Sequence, residues 1–290
     1  RCLVGSEMCI RDRLTQAREH LNELFGKKYP KYFRQEHVVY PHVSDSEALA
    51  LINYTSGTTS NSKGVMIPYR AMWSNYLFAE KVLGKQVKRA DSIISMLPQA
   101  HMYGMAFEFI FEFLHGCHIY YLTRIPSPKI VMQAFGEIKP AIIISVPLII
   151  EKIIKKNVLP KLQTPSMKVL LKLPVISGRI REKIREKLVE TFGGNFYEII
   201  IGGAAFNSEV ETLLHKIGFP YTVGYGATEC APIITYEDWH QFRPGSCGKT
   251  VPRMEVKINS NDPQNEVGEI LARGANAVSY THLRAHETSQ

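Results

Sequence analysis

The chain has 290 residues, 45% of them hydrophobic, with a formal net charge of +8. That is enough apolar material for one large domain or two ordinary ones, and no apolar run approaches the roughly 18 residues needed to span a bilayer. Most of the charge is local: residues 151–187 hold eleven Lys/Arg against three Glu, so the composition gives no reason to expect a nucleic-acid partner, while a basic surface of this kind would suit an anionic membrane.

In chain order, residues 1–13 and 278–290 are polar or aperiodic and resemble translated adapter sequence. They are set aside as non-native tails, which leaves residues 14–277 as the folded protein. Cys117, Cys230 and Cys247 then remain, without CxxC spacing, and read as reduced thiols of a cytoplasmic protein. His115 and His118 flank Cys117 but read as ordinary polar residues rather than zinc ligands.

Ala48 to Tyr54 reads as a short buried strand leading into a Ser/Thr/Gly loop. Tyr69 to Leu83 has helical character, and Ser92 to Leu97 is a second strand. The run from Ala106 to His115 carries phenylalanine at every second position between Phe107 and Phe113, so periodicity leaves helix and strand open there. Strands follow at Cys117–Leu122 and Ala141–Val146. Ile180, Ile184 and Leu188 define an amphipathic helix. A strand at Tyr197–Ile201 runs into Gly202–Gly203–Ala204. After it come a helix from Ser208 to Ile217, a strand at Tyr221–Val223 and a Gly-rich turn. Met254, Val256 and Ile258 alternate opposite a partner strand at Val267–Ala272, which predicts a small β subdomain from residue 249. The alternation of strands and helices predicts an α/β layered fold.

The segment Tyr54–Val65, YTSGTTSNSKGV, holds the chemistry. Glycines let backbone N–H groups converge on a phosphate. Hydroxyls add donors, and Lys63 adds charge. A Walker loop needs G-x-x-x-x-G-K-[ST]; here the Gly and Lys order is inverted. The segment Gly224–Glu229 begins like a dinucleotide fingerprint but does not complete one.

The loop resembles the (Y/F)TSGTTGxPKGV signature of the AMP-forming acyl-CoA synthetase superfamily, departing at Ser60 and Ser62. Three more segments resemble that family in order: Leu97–Gly104 (LPxxHxxG), Gly202–Ala204 with Gly224–Glu229 (GGA…GYGxTE), and Gly268–Gly274 (GE(L/I)xxRG). The resemblance implies the layered αβαβα large domain over residues 14–248 and the start of a β subdomain over 249–277. By the same resemblance Thr55, Ser56, Gly57, Thr58, Thr59 and Lys63 cradle the β- and γ-phosphates of ATP. Tyr225 stacks near adenine, opposite Gly202, Gly203 and Ala204, with Gly226 in the same turn. Thr228 reaches the α-phosphate, Glu229 and Thr58 hold Mg²⁺, and His101 orients the substrate carboxylate.

The reaction it implies joins a carboxylic acid to AMP and then to coenzyme A, releasing pyrophosphate. Wording around Phe206 and Phe242–Pro252 is similar to the long-chain fatty-acid branch, with aryl or amino acids as the other carboxylates to consider. Phe and Met residues between Met96 and Phe113 read equally as an apolar tunnel or as core. The family's C-terminal lid domain and its lysine fall outside the chain, so the fragment is expected to turn over negligibly. The basic Lys152–Lys187 stretch would suit a cytoplasmic enzyme that meets the inner face of a membrane. Two rivals remain open: a kinase or NTPase using the same loop, and a lipid-binding module with no catalysis.

Overall fold

The computed structural model describes residues 18–37, 45–55, 63–122, 126–162, 164–166 and 174–278; of Gln35, Lys63, Asn157, Lys161 and residues 174–176 it describes the backbone alone. The chain divides into two compact units, residues 1–44 and 45–290. In the first unit a helix, α1, spans Leu21–Lys28. None of its residues is buried, and Phe25, Tyr29 and Phe33 form a local aromatic cluster with ring centroids 4.9–5.2 Å apart.

The second unit opens with a hairpin. Strand β1 (Leu49–Thr55) pairs antiparallel with β2 (Lys63–Pro68), Thr55 opposite Lys63. Two features depart from expectation. β1 is not a buried strand: only Asn53 is buried, and Ile52 and Tyr54 are exposed. Lys63–Val65 belongs to a paired strand rather than to the loop. The helix α2 follows at Tyr69–Leu83 as expected, with Ala71, Asn75, Phe78 and Ala79 inward at helical spacing.

Strand β3 (Ser92–Ser95) leads to a helical stretch made of α3 (Met102–Met105), a wide π turn (Ala106–Ile110) and α4 (Phe111–His115). The ambiguous phenylalanine run is therefore helical. Phe107 and Phe111, four apart, face inward, while Phe109 and Phe113 are exposed and stack on each other at 5.8 Å. Glu108 and Glu112 share the buried face. Gly116 ends the stretch at φ +88°, a left-handed cap that only glycine adopts without strain.

β4 (His118–Tyr121) pairs parallel with β3. Helix α5 (Pro128–Ile138) is capped by the Ser127 hydroxyl, which accepts from the Ile130 N–H. β5 (Ile143–Ser145) then passes into α6 (Pro147–Asn157), with Pro147 in the first turn where its missing N–H costs nothing. Helices α7 (Leu159–Leu162) and α8 (Pro174–Thr191), strand β6 (Ile199–Ile201), helix α9 (Ser208–Lys216) and strand β7 (Tyr221–Val223) follow. β5, β6 and β7 form a parallel sheet in that order, and the Ala141 N–H donates to the Ser92 carbonyl, linking it to β3.

This sheet is buried on both faces, as parallel strands covered by helices are. Successive residues alternate between two cores. Ile94, Ile143, Ile199 and Ile201 pack with α5, α6, α8 and α9. Ile93, Ile142, Ile144 and Ile200 pack with α2 and the π turn. The result is the helix–sheet–helix layering that the alternation of elements predicts.

Beyond the sheet, β8 (Tyr225–Gly226), β9 (Ile233–Tyr236) and β10 (Lys249–Thr250) form a small antiparallel sheet. β11 (Met254–Asn259) and β12 (Glu269–Gly274) form the expected hairpin, Met254 opposite Gly274 and Asn259 opposite Glu269.

Candidate functional site

Ligands of open α/β sheets bind outside the carboxyl ends of the strands. Three of the singled-out segments leave from those ends: Leu97–Gly104 after β3, Gly202–Ala204 after β6, and Gly224–Gly226 after β7. Side chains then tie them together. The Asn53 amide, two residues before Thr55, donates to the Ala100 carbonyl at 2.7 Å. Val65 and Ile67 of β2 form a small core with Ala71, Met102 and Ala231. This core joins the exit of the loop, the residue after His101 and the turn that holds Thr228 and Glu229.

The Tyr103 hydroxyl donates to the Ile200 carbonyl at 3.0 Å, and its ring lies over Gly202, where a Cβ would meet ring carbons at 3.2 Å. Glycine at 202 therefore lets the two segments touch. Gly226 does the same for the next turn, since a Cβ there would fall 2.3 Å from the Pro232 carbonyl oxygen.

These contacts surround a small pocket of about 70 Å³, partly open to solvent. Gly202, Gly203, Tyr225 and Gly226 line it together, and Phe78, Leu83, Phe107, Ile144, Ile200 and Tyr236 make it apolar behind them. Of the Phe residues in the Met96–Phe113 segment, Phe107 lines the pocket and Phe111 is core; Tyr103, from the same segment, also lines the pocket. Ala204 and His101 are exposed and do not line the pocket. Thr228 and Glu229 sit half-buried on one 3-10 turn, Thr228–Cys230. Neither side chain, nor that of His101, makes a hydrogen bond or ion pair among the described residues. Thr55 ends β1 and Lys63 opens β2, which closes the neck of the loop. Ser56, Gly57, Thr58 and Thr59 lie outside the described residues.

Buried acids lie beneath the site. Glu108 accepts from the Met96 and Leu97 N–H groups at 3.1 and 2.8 Å and from the Ser95 hydroxyl at 3.2 Å, and burial still pushes its carboxyl up to about 7. Glu112, fully buried with neither oxygen hydrogen-bonded, is pushed well above the carboxylate range by burial and by Glu108. Glu198 accepts from the Tyr236 hydroxyl and the Trp239 N–H, and burial raises it to about 8. Sequence reasoning missed Asn53, Asn75, Tyr103 and Glu108. A polar residue inside an apolar run was the available signal for Asn75 and Glu108.

His115 contacts Glu80 and the Val87 carbonyl at 2.9 and 2.7 Å. No cluster of three metal-ligating side chains exists among the described residues. Where α8 is described the basic stretch remains net basic, with Glu182 and Glu186 set among Arg179, Arg181, Lys183, Arg185 and Lys187. No helix among the described residues is long and apolar enough to cross a membrane.

The profile of the AMP-binding enzymes matches residues 5–280. The chain belongs to that family. Among its relatives in the family, long-chain-fatty-acid–CoA ligase 2 of Schizosaccharomyces pombe is 27% identical over 264 residues, 78% of this chain and 37% of the relative. Long-chain-fatty-acid–CoA ligase 4 of Saccharomyces cerevisiae is 27% identical over 267 residues, 86% of this chain and 38% of the relative. The chain thus spans well under half the length of the curated relatives it matches. The same fold occurs in ATP-bound MatB from Rhodopseudomonas palustris, with a TM-score of 0.61 at 23% identity over 81% of this chain and 41% of that one. It also occurs in o-succinylbenzoate coenzyme A synthetase from Bacillus subtilis in complex with ATP and magnesium, with a TM-score of 0.60 at 21% identity over 81% of this chain and 43% of that one.

Proposed function

We propose that this chain is the nucleotide-binding part of an AMP-forming ligase that activates a carboxylic acid, with a fatty acid as the favoured substrate. The supporting observation is the convergence of the separate motif segments through Asn53–Ala100, the Val65–Met102–Ala231 core and Tyr103–Gly202. Segments 47 to 166 residues apart meet at one mouth, a placement that lets them address one ligand.

In this reading the loop between Thr55 and Lys63 holds the β- and γ-phosphates of ATP, where N–H groups and a lysine charge suit an anion. Tyr225 offers its ring to the adenine beside the Gly202–Gly203 backbone. Thr228 donates to the α-phosphate. His101 orients the acid so that its carboxylate oxygen attacks the α-phosphorus as pyrophosphate leaves; the contribution of the chain is positioning and charge neutralisation. Coenzyme A would take up the activated acyl group.

A magnesium ion fits the donor set. Mg²⁺ is commonly held by one or two carboxylates together with substrate phosphates, and Glu229 is a half-buried carboxylate, on the same turn as Thr228, with no hydrogen-bond or ion-pair partner among the described residues. Glu229 and Thr58 would hold it, and it would screen phosphate charge.

The apolar wall of the pocket, Phe78, Leu83, Phe107, Ile144 and Ile200, supports an apolar acyl group, in line with the names of the fatty-acid ligase relatives. The test is magnesium-dependent binding of ATP by calorimetry, with and without a long-chain fatty acid. Glu229→Gln should weaken magnesium-dependent ATP binding by roughly tenfold or more, the scale of losing one charged ligand. Release of ADP instead of AMP would replace this reading with that of a kinase.

A further inference from the structure

The turn that carries Thr228 and Glu229 has little of its own to hold it. It is a single 3-10 turn, ended by Ala231 at φ +55°. Most of what fixes it comes from other elements, and the central piece is one side chain in the middle of α2.

Asn75 is 1% exposed. Its Nδ2 donates to the Cys230 carbonyl at 3.1 Å and to the Ala71 carbonyl of its own helix at 2.8 Å. Its Oδ1 accepts from the Ile233 N–H at 3.0 Å. One amide therefore brackets residues 230–233 from both ends, with one donor and its acceptor oxygen, while the second donor holds it to its own helix. Asn is a poor residue for a helix interior, and a buried amide is tolerated only when its hydrogen bonds are met. Here they are met across 155 and 158 residues of sequence.

The helix that presents Asn75 is itself continuous with the loop. β2 starts at Lys63 and ends at Pro68, and α2 starts at Tyr69. Val65 and Ile67 of β2 share the small core with Ala71 of α2 and Ala231 of the turn. Asn276 adds support from the far side by donating to the Ile233 carbonyl at 2.8 Å, and the Val278 N–H donates to the Glu229 carbonyl at 2.9 Å.

We propose that Asn75 is a positioning residue: it sets the Thr228–Glu229 turn in register with the strand leaving the phosphate loop. Its consequence for the nucleotide rests on the function proposed above. Two groups on separate segments, the loop and the turn, must address one triphosphate. A shared rigid element that ends in Lys63 on one side and grips residues 230–233 on the other keeps their separation fixed. Asn75 touches no reacting group.

The test has two arms on the full chain. In the first, Cys2, Cys9, Cys117 and Cys247 are replaced by serine, and labelling of Cys230, a fully buried thiol, by a soluble disulfide reagent reports opening of the turn. Asn75→Ala should label roughly tenfold faster or more, because buried N–H and C=O groups left unpaired no longer hold the turn closed. Leu214→Ala, which cuts a cavity in the core on the opposite face of the sheet, controls for loss of stability and should leave the rate near that of the parent.

In the second arm, ATP affinity is measured with and without magnesium. Asn75→Ala should lower the gain from magnesium, whereas Leu214→Ala should leave that ratio unchanged. Where Asn75→Ala does not fold, Asn75→Asp keeps the shape and the acceptor for Ile233 but loses the donor to Cys230, and it carries the same comparison. Equal labelling of the Asn75 and Leu214 variants would overturn the proposal, as would an unchanged magnesium ratio in a variant that labels fast. A parent chain that binds no ATP would sink the functional reading instead, with the labelling arm still deciding whether Asn75 holds the turn.

Discussion

Two carboxyl groups, Glu108 and Glu198, are fully buried in a fold that nonetheless gives each of them hydrogen-bond donors. Desolvation outweighs those donors, and both titrate far above their ordinary 4.5, at about 7 and about 8. The folded chain therefore keeps protons that the unfolded chain has already released. Stability falls wherever the folded state binds more protons as pH rises. Their effect is thus absent below about pH 4.5 and grows as pH rises towards 7 and 8. At about 1.4 kcal/mol per pKa unit each group costs a few kcal/mol at most by pH 8. Glu108→Gln and Glu198→Gln keep the shape without the titration. Urea unfolding at pH 5 and pH 8 should show a smaller drop in stability for each variant than for the parent. Equal drops in variant and parent would mean that these carboxyls do not titrate in this range.

At the scale of elements, the parallel sheet explains why a continuous apolar run was readable as a strand, while its neighbours were harder to read. In Ala141–Ser145 every residue is buried, because Ile143 faces one helical layer and Ile142 and Ile144 the other. Ile143→Ala and Ile144→Ala should therefore both cost roughly 2–5 kcal/mol of unfolding free energy, the range for cavities in a packed core. Ile52→Ser on the outer face of β1, where the side chain is 48% exposed, should cost about 0.5 kcal/mol or less. Guanidinium unfolding of the three variants checks both halves; a cheap Ile143→Ala or Ile144→Ala would mean one face of the sheet is open.

The same contrast shows where local pattern ran out. α2, β7 and the β11–β12 hairpin follow propensity and periodicity, so their residues announce them. β1 reads as buried by composition, yet in the folded chain only one of its faces packs, and composition does not say which layers cover a strand. The π turn at Ala106–Ile110 defeats a fixed period because its spacing differs from that of an α-helix. The motif segments could be read one by one, whereas Asn53, Tyr103 and Asn75 act through contacts 47 to 158 residues away, which no local pattern encodes.

At the scale of the whole molecule, every core formed by the described residues belongs to the second unit. The buried apolar residues of the described chain begin at Val65, and the three clusters they form draw on residues 65–254. Among the described residues of the first unit none is buried, and its ion pairs, such as Lys27 with Glu23, are exposed. Exposed pairs contribute about 0–1 kcal/mol, whereas each fully buried Ile or Phe side chain contributes roughly 1.5–3 kcal/mol. Stability should therefore be a property of residues 45–290. A chain beginning at Asp45 should melt within about 2–4 °C of the full chain, the shift that about 1 kcal/mol produces in a domain of this size. It should also keep whatever ATP affinity the full chain has, since Asn53, Asn75, Tyr103 and the pocket all lie beyond the division. Scanning calorimetry and nucleotide titration on the two lengths decide it. A loss of 10 °C or more, which corresponds to roughly 3 kcal/mol, would show that residues 1–44 contribute to the stability of the chain.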